Sequence, residues 1–367
     1  MSVLPRVALA HEWLVRYAGS ERVVEELLVA FPGSGLITTL VRPAELPPSL
    51  RQAAPSFLQR VPGATRRHEW LLPLMPLAWS LRRPLDDVDA VISSSHACAK
   101  AVRIAPGIPH VSYCHTPMRY AWDFDAEAGR VPGPARPLAA AVMVAFRRWD
   151  RRTAERVTRF VANSNAVAAR IRRFYGRDAE IVFPPVRTDY FTFDGERERS
   201  SFLYVGRLVS YKRPDLVVEA FRGLRDRLVV VGDGHMRQGL EARASGNVTF
   251  LGEVSLERLR ELYRSAVALV YPAEEDFGIV MAEAQACGTP VIGYRLGGAA
   301  DIVAHGETGW LVERQELGVL RQAIRRAARA ELDRAGIAER ARRFSGERFR
   351  REMRRIVDEE IAERRRR

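Results

Sequence analysis

The chain has 367 residues, of which 47% are hydrophobic, and a formal net charge of +13. Its length exceeds one ordinary core and its composition excludes a disordered chain, so we expect two folded domains. The positive charge favours acidic partners, which include nucleic acid, an anionic membrane surface and phosphorylated ligands. The sequence contains no run of eighteen apolar residues and its first residues lack a signal-peptide layout, so a cytoplasmic protein is expected.

Cysteine and lysine are both scarce. The three cysteines, Cys98, Cys114 and Cys287, have no metal-type spacing, so we interpret them as small buried residues. Only two of the 58 basic residues are lysine, Lys100 and Lys212. A compact ammonium differs physically from a guanidinium fork, so each lysine is a candidate for a site that requires one, with chance retention as the alternative.

The first strand and helix are predicted on either side of a glycine loop. Residues 6–10 form a short apolar run, and residues 20–31 have helical spacing with Ser20 as a plausible N-cap. Gly19 lies in the loop between them. This arrangement places a helix N-terminus beyond the end of a buried strand.

Further strands are predicted at residues 35–40, 88–93, 110–114, 159–163 and 180–183, with crossovers between them. This alternation predicts a parallel sheet covered on both faces, and such sheets bind ligands at the carboxyl ends of their strands. His115 follows one of these ends. A lone histidine is more often structural than functional, so the pattern alone leaves both interpretations open.

Residues 66–83, here called the apolar insert, combine tryptophan, leucine and proline with arginines at both ends. The insert is too short to cross a bilayer, but it suits a membrane interface or a lipid-linked acceptor. An apolar hairpin packed on its own domain is an equal alternative. Residues 137–149 give a weaker signal of the same kind, and the terminal arginines 364–367 are either a solvated tail or an anchor to acidic lipid headgroups.

A polar linker at residues 187–200 precedes a second series of strands, at 201–205, 228–231, 248–251, 266–270 and 290–294. Arg207 and Lys212 lie between the first of these strands and a helix whose first turn contains Pro214. Two cations in such a loop can reach one anion above the sheet, and charge-assisted bonds of this kind contribute roughly 1.5–3 kcal/mol each.

Residues 271–290 predict a strand end, a glycine turn, a helix and another strand. Phe277 and Gly278 permit the turn, residues 279–287 have helical spacing, and Gly288 ends the helix. The free N–H groups at the start of such a helix carry about half a positive charge and suit a phosphate.

Glu275 and Glu283, separated by seven residues, bracket this turn. Carboxylates bind hydroxyls rather than phosphate, so a ligand with a central phosphate and hydroxyl-rich ends, such as a nucleotide-sugar, would satisfy all three features. The alternative is that Glu275 lies on a solvated loop and that Glu283 is an ordinary exposed helix residue.

Glu275, Glu283 and the following Ala-Gln-Ala-Cys-Gly-Thr-Pro-Val-Ile resemble the signature of the family-4 retaining glycosyltransferases of the GT-B fold. The resemblance implies an α/β protein with two Rossmann-like domains facing across a cleft. Residues 1–190 would form the acceptor-side domain and residues 191–345 the nucleotide-sugar-binding domain. Residues 346–367 would form a last helix that packs back on the first domain.

The resemblance also implies roles for individual residues. Arg207 and Lys212 would bind the diphosphate, and Glu275 would hold sugar hydroxyls. His115 would contact the sugar near the reacting carbon from the opposite domain, and Glu283 would hold the ribose hydroxyls. The remaining donor-binding residues would be Gly19, in a loop that closes over the donor phosphate and has Ala18 in place of a second glycine; Gly234 and Val254, near the nucleobase; and Phe277, Gly278 and Ile279, at the helix N-terminus.

The implied activity is retaining transfer of a hexose from a nucleotide-sugar to a glycan or lipid-linked acceptor in the synthesis of surface polysaccharide such as lipopolysaccharide. Residues 114–123 resemble those of mannosyltransferases, so GDP-mannose is the first donor considered. Neither a cofactor nor a metal is expected, because side chains supply the cations. The location would be the cytoplasm or, by peripheral contact, the inner face of the cell membrane. The alternatives are a nucleotide-sugar epimerase, a phosphorylase or another GT-B enzyme, and a basic nucleic-acid-binding protein, for which no interleaved aromatic and basic motif is evident.

Overall fold

The structure is a computed structural model that describes residues 5–122, 136–195 and 197–366. It divides into two compact units. Unit 1 comprises Met1–Pro185 and Phe349–Arg367, and unit 2 comprises Val186–Arg348. Asp123, the last residue of segment 114–123, and Arg367, the last of the terminal arginines 364–367, lie outside the described residues, as do the first four residues of the chain.

Unit 1 is built on a six-stranded sheet in which every neighbouring pair of strands is parallel. The central strands are short apolar runs because helices cover both faces of the sheet. The strands are β1 (Val7–His11), β2 (Gly35–Thr38), β3 (Ala90–Ser95), β4 (His110–Cys114), β5 (Arg159–Ala162) and β6 (Ala179–Ile181), in the spatial order β2-β1-β3-β4-β5-β6.

The helices of unit 1 are connections between these strands, together with the last helix of the chain. They are α1 (Gly19–Ala30), α2 (Met75–Ser80), α3 (Arg119–Trp122), α4 (Arg136–Ala154), α5 (Asn165–Tyr175) and, at the end of the chain, Gly346–Arg366. Short 3₁₀ turns occur at Pro43–Glu45, Pro48–Leu50, Phe57–Arg60, His68–Leu74 and Ala99–Ala101.

The start of α1 differs from the prediction. Ala18, with extended backbone, is the N-cap, and Ser20 already lies inside the helix, so the prediction of Ser20 as N-cap was wrong. The Glu21 carboxylate accepts a hydrogen bond from the Ala18 N–H at 3.0 Å and thereby supplies the capping interaction. A glutamate three residues into a helix can satisfy this donor even when the cap residue has no polar side chain.

The last helix places one apolar stripe in the core of unit 1. Phe349, Met353, Ile356, Val357 and Ile361 recur every three or four residues, and all of them are buried in one cluster with the side chains of the strands. The Phe349 ring contacts the Tyr113 ring of β4, with 5.4 Å between the centroids. The helical period therefore accounts for this docking.

Unit 2 contains a second all-parallel sheet of six strands, β7 (Ser201–Val205), β8 (Leu228–Val231), β9 (Val248–Gly252), β10 (Ala266–Tyr271), β11 (Val291–Tyr294) and β12 (Gly309–Val312), in the spatial order β12-β11-β10-β7-β8-β9. Together with the first sheet it confirms the predicted α/β class. The apolar runs in the sequence located the strands to within two residues in most cases.

The helices of unit 2 cover this sheet. They are α6 (Pro214–Ala220), α7 (Arg237–Glu241), α8 (Leu256–Ser265), α9 (Ile279–Ala286), α10 (Ala299–Ile302), α11 (Leu317–Arg329) and α12 (Arg334–Ala341), with 3₁₀ turns at Ser210–Lys212 and Arg342–Phe344. The Gly346–Arg366 helix follows α12 in the chain and is α13. Pro214 opens α6 as predicted, because its fixed φ suits the first helical turn.

The apolar insert is divided between the core and the surface. Leu72, Met75 and Trp79 are buried, whereas Trp70 is 78% exposed and Leu81 is 65% exposed. The insert is a 3₁₀ turn followed by α2 rather than a hairpin, but its buried side chains pack in the core of unit 1, as the alternative predicted. Within the three described ranges, no helix has the length and the apolar content that a membrane crossing requires.

Lys100 forms a buried ion pair with Asp150. Both side chains are at most 2% exposed, and the Asp150 carboxylate also accepts hydrogen bonds from Trp122 Nε1 at 2.7 Å and Tyr175 Oη at 2.8 Å. A compact ammonium fits this enclosed site, and so the structure gives Lys100 a role in stability. All three cysteines are buried as predicted, and burial raises the pKa of the Cys287 thiol to about 12.

Candidate functional site

Three polar side chains of unit 2 meet beyond the carboxyl ends of β7 and β10. Lys212 Nζ lies 2.9 Å from Glu275 Oε1 and donates to Tyr271 Oη at 2.8 Å. Tyr271 in turn donates to Glu275 Oε1 at 2.7 Å. We call these three residues the Lys212 triad. Its members come from the loop after β7, the end of β10 and the loop after β10, because parallel strands bring their carboxyl ends to one edge.

The surroundings of Tyr271 favour the protonated form of its hydroxyl. Burial, together with the neighbouring Glu275 carboxylate, raises the pKa of Tyr271 well above its ordinary value, so its hydroxyl remains a donor at neutral pH. The Tyr271 ring stacks on Tyr204 with 5.8 Å between the centroids. Lys212 and Glu275 are 16% and 22% exposed, so both charged groups are screened only in part by solvent.

Arg207 lies beside the triad. Its Nη2 donates to Tyr211 Oη at 2.6 Å, and the centroid of the Tyr211 ring is 6.0 Å from the Arg207 guanidinium carbon and 5.9 Å from Lys212 Nζ. The two predicted cations therefore flank one aromatic ring, and the Arg207 side chain is exposed. This pair can hold a polyanion above the sheet.

Arg213 was not predicted as part of this region. Its φ of +55° makes it the one non-glycine residue with positive φ in the described part of the chain, directly after Lys212 and at the N-cap of α6. Arg213 Nη1 donates to Gln315 Oε1 at 3.0 Å, and Gln315 Nε2 donates to the Pro272 carbonyl at 2.7 Å. These bonds tie the lysine loop to the Glu275 loop and offset the strain of roughly 1–3 kcal/mol.

Gly297 and Gly298 support the backbone that carries Glu275. The Gly298 N–H donates to the Glu275 carbonyl at 2.8 Å. A Cβ atom at Gly297 would lie 2.3 Å from the same carbonyl oxygen, and one at Gly298 would lie 2.2 Å from the Phe277 carbonyl oxygen. Both glycines are therefore required by close backbone approach.

The turn Phe277-Gly278-Ile279 leads into α9 as predicted. Gly278 has φ +94° and caps the helix, and Phe277 is buried. Glu283 lies in the second turn of α9 and is only 5% exposed, with its Oε2 atom 3.4 Å from Tyr263 Oη. The alternative of an ordinary exposed helix residue is therefore wrong for Glu283.

Gly234 and Val254 follow β8 and β9. A Cβ atom at Gly234 would lie 2.5 Å from the Leu208 carbonyl oxygen, and the Leu208 N–H donates to the Asp233 carbonyl at 2.9 Å. The loops after β7 and β8 thus pack backbone to backbone, which explains this glycine without a ligand. Val254 is half-buried in the loop after β9.

Unit 1 contains its own polar cluster at the carboxyl ends of β1, β3 and β4. His115 Nε2 lies 2.8 Å from Ser94 Oγ, and the His115 ring is 6.2 Å from the His96 ring and 6.5 Å from the His11 ring. Burial and the two neighbouring histidines lower the pKa of His115 well below its ordinary value. His115 is therefore neutral at physiological pH.

Gly19 lies between Ala18 and Ser20, which both donate to the Glu21 carboxylate beside this cluster. Glu21 Oε2 accepts from the Ala18 N–H and from Ser20 Oγ, each at 3.0 Å, and Glu21 Oε1 lies 3.6 Å from His11 Nε2. Burial alone would raise the pKa of the Glu21 carboxyl, but the contact with His11 leaves it below its ordinary value.

Glu12 is a structural centre that the sequence pattern did not reveal. It is fully buried and accepts hydrogen bonds from the Ala97, Cys98 and Ala99 N–H groups, each at 2.8 Å. Burial opposes its charge, but His96 and these N–H groups lower the pKa of Glu12 below its ordinary value. The only available signal was its position directly after β1.

The structure therefore brings Arg207, Lys212 and Glu275 together, with Glu283 deeper in α9, whereas His115 and Gly19 belong to the cluster of unit 1. Nowhere in the described part of the chain do three or more His, Cys, Asp or Glu side chains converge in a way that could hold a metal ion.

Comparison with protein families gives two adjacent matches. Residues 17–190 match the family described as Glycosyltransferase Family 4, and residues 190–344 match the family described as Glycosyl transferases group 1.

Curated relatives include the D-inositol 3-phosphate glycosyltransferases of Geodermatophilus obscurus and Mycolicibacterium smegmatis. The first is 38% identical over 225 residues, which cover 52% of this chain and 50% of that protein. The second is 30% identical over 216 residues, which cover 52% of this chain and 48% of that protein. The matches thus span about half the length of these relatives.

Solved structures resemble nearly the whole chain. HepE (Alr3699) of Anabaena, solved with UDP and glucose, has a TM-score of 0.69 at 16% identity and covers 97% of this chain and 100% of its own. Sucrose-phosphate synthase of Thermosynechococcus elongatus has a TM-score of 0.71 at 19% identity, with the same coverage. At these identities the similarity shows the fold alone.

Proposed function

We propose that this chain moves a hexose from a nucleotide-sugar to a glycan or lipid-linked acceptor with retention of anomeric configuration. The two halves of the chain match glycosyltransferase families, and its fold is GT-B. The observation that carries the proposal is the Lys212 triad with Arg207 beside it. These groups place two cations and a carboxylate at one edge of the unit 2 sheet.

The chemistry of transfer explains why such a site is useful. Breaking the bond between the anomeric carbon and the diphosphate increases negative charge on the leaving group. We assign Lys212, Arg207 and the N–H groups at the start of α9 to that charge, because interactions that strengthen in the transition state lower the barrier. Glu275 would accept sugar hydroxyls, Glu283 ribose hydroxyls, and His115 would contact the sugar.

The same cations make a divalent ion unnecessary in the proposed reaction. Neutralisation of the diphosphate by Lys212 and Arg207 replaces the role that a metal would otherwise play. We expect full activity in excess EDTA, and a hundredfold loss in the chelator would contradict this part of the proposal.

The first donor to test is GDP-mannose, which the resemblance of residues 114–123 to mannosyltransferases favours. UDP-glucose is the second, because HepE was solved in complex with it. D-Inositol 3-phosphate joins glycan and lipid-linked acceptors in the panel, because the curated relatives act on it by name. A role in surface polysaccharide synthesis is part of the proposal and depends on the acceptor found.

The test is product analysis. The full chain is incubated with each donor and acceptor, and the products are separated and identified by mass spectrometry and by the NMR coupling of the anomeric proton. We expect one new glycoside with the configuration of the donor, together with one equivalent of nucleoside diphosphate. An isomerised nucleotide-sugar without glycoside would indicate an epimerase, and an inverted product would overturn the retaining mechanism.

We also propose peripheral contact of the apolar insert with an anionic membrane. Trp70 and Leu81 are largely exposed, and the exposed Arg66, Arg67 and Arg83 lie in the same segment. The Arg67 guanidinium carbon lies 5.5 Å from the centroid of the Trp70 ring. Apolar side chains flanked by cations match the boundary between acyl chains and anionic headgroups.

Vesicle flotation tests this contact. We expect the protein to float with vesicles that contain anionic lipid and to dissociate at high salt. Trp70→Ser with Leu81→Ser should weaken flotation, whereas Leu256→Ser, an exposed leucine of unit 2, should not. Equal flotation on neutral and anionic vesicles would contradict the electrostatic part of the contact.

A further inference from the structure

We propose that Ser94 is a positioning residue that holds His115 as the neutral tautomer with its hydrogen on Nδ1. The proposal rests on the proposed function only in that His115 is assigned to the donor sugar. It follows from one chain of polar contacts that runs through unit 1 from Glu21 to His11, Ser94 and His115.

The assignment of the hydrogens begins at the Ser94 carbonyl oxygen, which can only accept a hydrogen bond. His11 is fully buried, and its Nδ1 atom lies 3.1 Å from the Ser94 carbonyl oxygen and 3.1 Å from Ser94 Oγ. A carbonyl oxygen can only accept, so His11 Nδ1 carries a hydrogen and donates it toward Ser94. The opposite nitrogen, His11 Nε2, lies 3.6 Å from the Glu21 carboxylate, beyond hydrogen-bonding distance, so the nearer Ser94 carbonyl determines which His11 nitrogen carries the hydrogen.

Ser94 then has one direction left for its own hydrogen. Its Oγ atom receives the His11 donor on one side and lies 2.8 Å from His115 Nε2 on the other. The Ser94 hydroxyl therefore donates to His115 Nε2, which must accept with its lone pair. A neutral imidazole that accepts at Nε2 carries its hydrogen at Nδ1.

This arrangement makes His115 Nδ1 a hydrogen-bond donor. Its backbone N–H donates to the Ser95 carbonyl at 2.8 Å, and its own carbonyl accepts from Asn163 Nδ2 at 3.0 Å, so the backbone is held on both sides. Among the described residues His115 Nδ1 has no hydrogen-bond partner in unit 1. The Nδ1–H group is thus available to a sugar oxygen, and its direction is set by Ser94.

The adjacent Ser93 provides a matched control. It lies on the same strand, but its Oγ contacts His110 Nε2 at 2.8 Å and Ser112 Oγ at 3.0 Å. Since side chains of neighbouring strand residues point to opposite faces, Ser93→Ala removes the same hydroxyl from the other side of the sheet.

The experiment is nitrogen NMR of the full chain labelled with ¹⁵N-histidine, which distinguishes a protonated from an unprotonated ring nitrogen. We expect the His115 signals of the wild-type protein to show Nδ1–H, and Ser94→Ala to move them toward the Nε2–H tautomer. Ser93→Ala should change His110 and leave His115 unaltered. A wild-type His115 in the Nε2–H form overturns the proposal without any variant, and unchanged His115 signals in a folded Ser94→Ala variant also overturn it.

Activity gives a second and separate readout. With an active donor, Ser94→Ala is expected to lower kcat/KM about tenfold, the effect of one hydrogen bond lost or misdirected, while Ser93→Ala retains wild-type kcat/KM. Equal kcat/KM in the two variants would contradict the positioning role. Failure of the wild-type protein to use any donor would instead contradict the proposed function, because the NMR result does not depend on turnover.

Discussion

The two units hold their polar clusters in opposite ways. In unit 1, His11 and Glu21 are buried and lie 3.6 Å apart. His11 contacts Ser94 at 3.1 Å, and Ser94 contacts His115 at 2.8 Å. In unit 2, Lys212, Glu275 and Arg207 keep part of their surface in solvent. The difference indicates that the contacts in unit 1 fix the orientation of its polar side chains. In unit 2 the charged side chains remain partly exposed and can interact with an anion from solvent.

The two lysines repeat this contrast. Lys100 is enclosed with Asp150, and Lys212 pairs with Glu275 at the edge of the sheet. The same type of ion pair therefore contributes to stability in one unit and, by our proposal, to catalysis in the other.

The largest effect is expected from Lys100→Met. Removing the ammonium leaves the Asp150 carboxylate buried without its counter-charge, and breaking such a pair costs about 3–5 kcal/mol. Urea denaturation followed by circular dichroism should show this loss of unfolding free energy. A change of less than about 1 kcal/mol, the range of a surface pair, would contradict the distinction between the two lysines.

Lys212→Met should affect activity rather than stability. We expect kcat to fall at least about a hundredfold, because one preorganised donor to the leaving group is lost, while the urea midpoint changes little. Arg314→Ala, which removes a 68% exposed cation of the same unit, is the control and should retain wild-type kcat. Equal kcat in the wild-type protein and Lys212→Met would remove Lys212 from the proposed site.

Two glycines with nearly the same positive φ allow the cost of a backbone clash to be measured apart from the cost of the left-handed conformation. Gly297 has φ +85° and no room for a Cβ atom beside the Glu275 carbonyl, whereas Gly306 has φ +84° and nothing within 4 Å. Gly306→Ala should lower the free energy of unfolding by about 1 kcal/mol, the cost of the left-handed conformation. Gly297→Ala should lower it by about 2 kcal/mol more and should also reduce kcat. Equal costs, measured by urea denaturation, would show that the Gly297 contact does not matter.

The neutral histidines of unit 1 predict a loss of stability in acid. Burial lowers the pKa of His110 from 6.5 to about 3. The unfolded chain therefore binds more protons below pH 6.5, and stability falls as the pH decreases through that range. The contribution of His110 is about 2 kcal/mol between pH 8 and pH 5. His110→Asn should show an acid loss smaller by that amount in urea titrations at the two pH values. An identical acid loss in both proteins would contradict a neutral, buried His110.

The sequence predicted the features that depend on local pattern. Apolar runs located β4, β7 and β8 to the residue, and the position of His115 after a strand placed it at the carboxyl edge of its sheet. The turn at Gly278 and the start of α6 at Pro214 followed from backbone preferences that each residue carries by itself.

The features that the sequence did not predict depend on contacts between distant residues. Glu12 meets N–H groups more than eighty positions away, and His11 meets Ser94 across a similar interval. The hydrophobic periodicity of a sequence carries no information about such distant pairs. The start of α1 was also missed, because alanine is an unusual N-cap residue, and the positive φ of Arg213 was missed, because a non-glycine residue rarely adopts it.

The central claim, that Lys212 belongs to a site for a nucleoside diphosphate, is tested most directly by thermal unfolding with GDP, UDP, ADP and dTDP. Binding to the folded protein alone raises Tm by mass action. We predict that one of the four diphosphates raises the Tm of the wild-type protein and that Lys212→Met abolishes this increase, while Arg314→Ala keeps it. An equal increase in the wild-type protein and Lys212→Met, or no increase with any of the four diphosphates, would contradict the account.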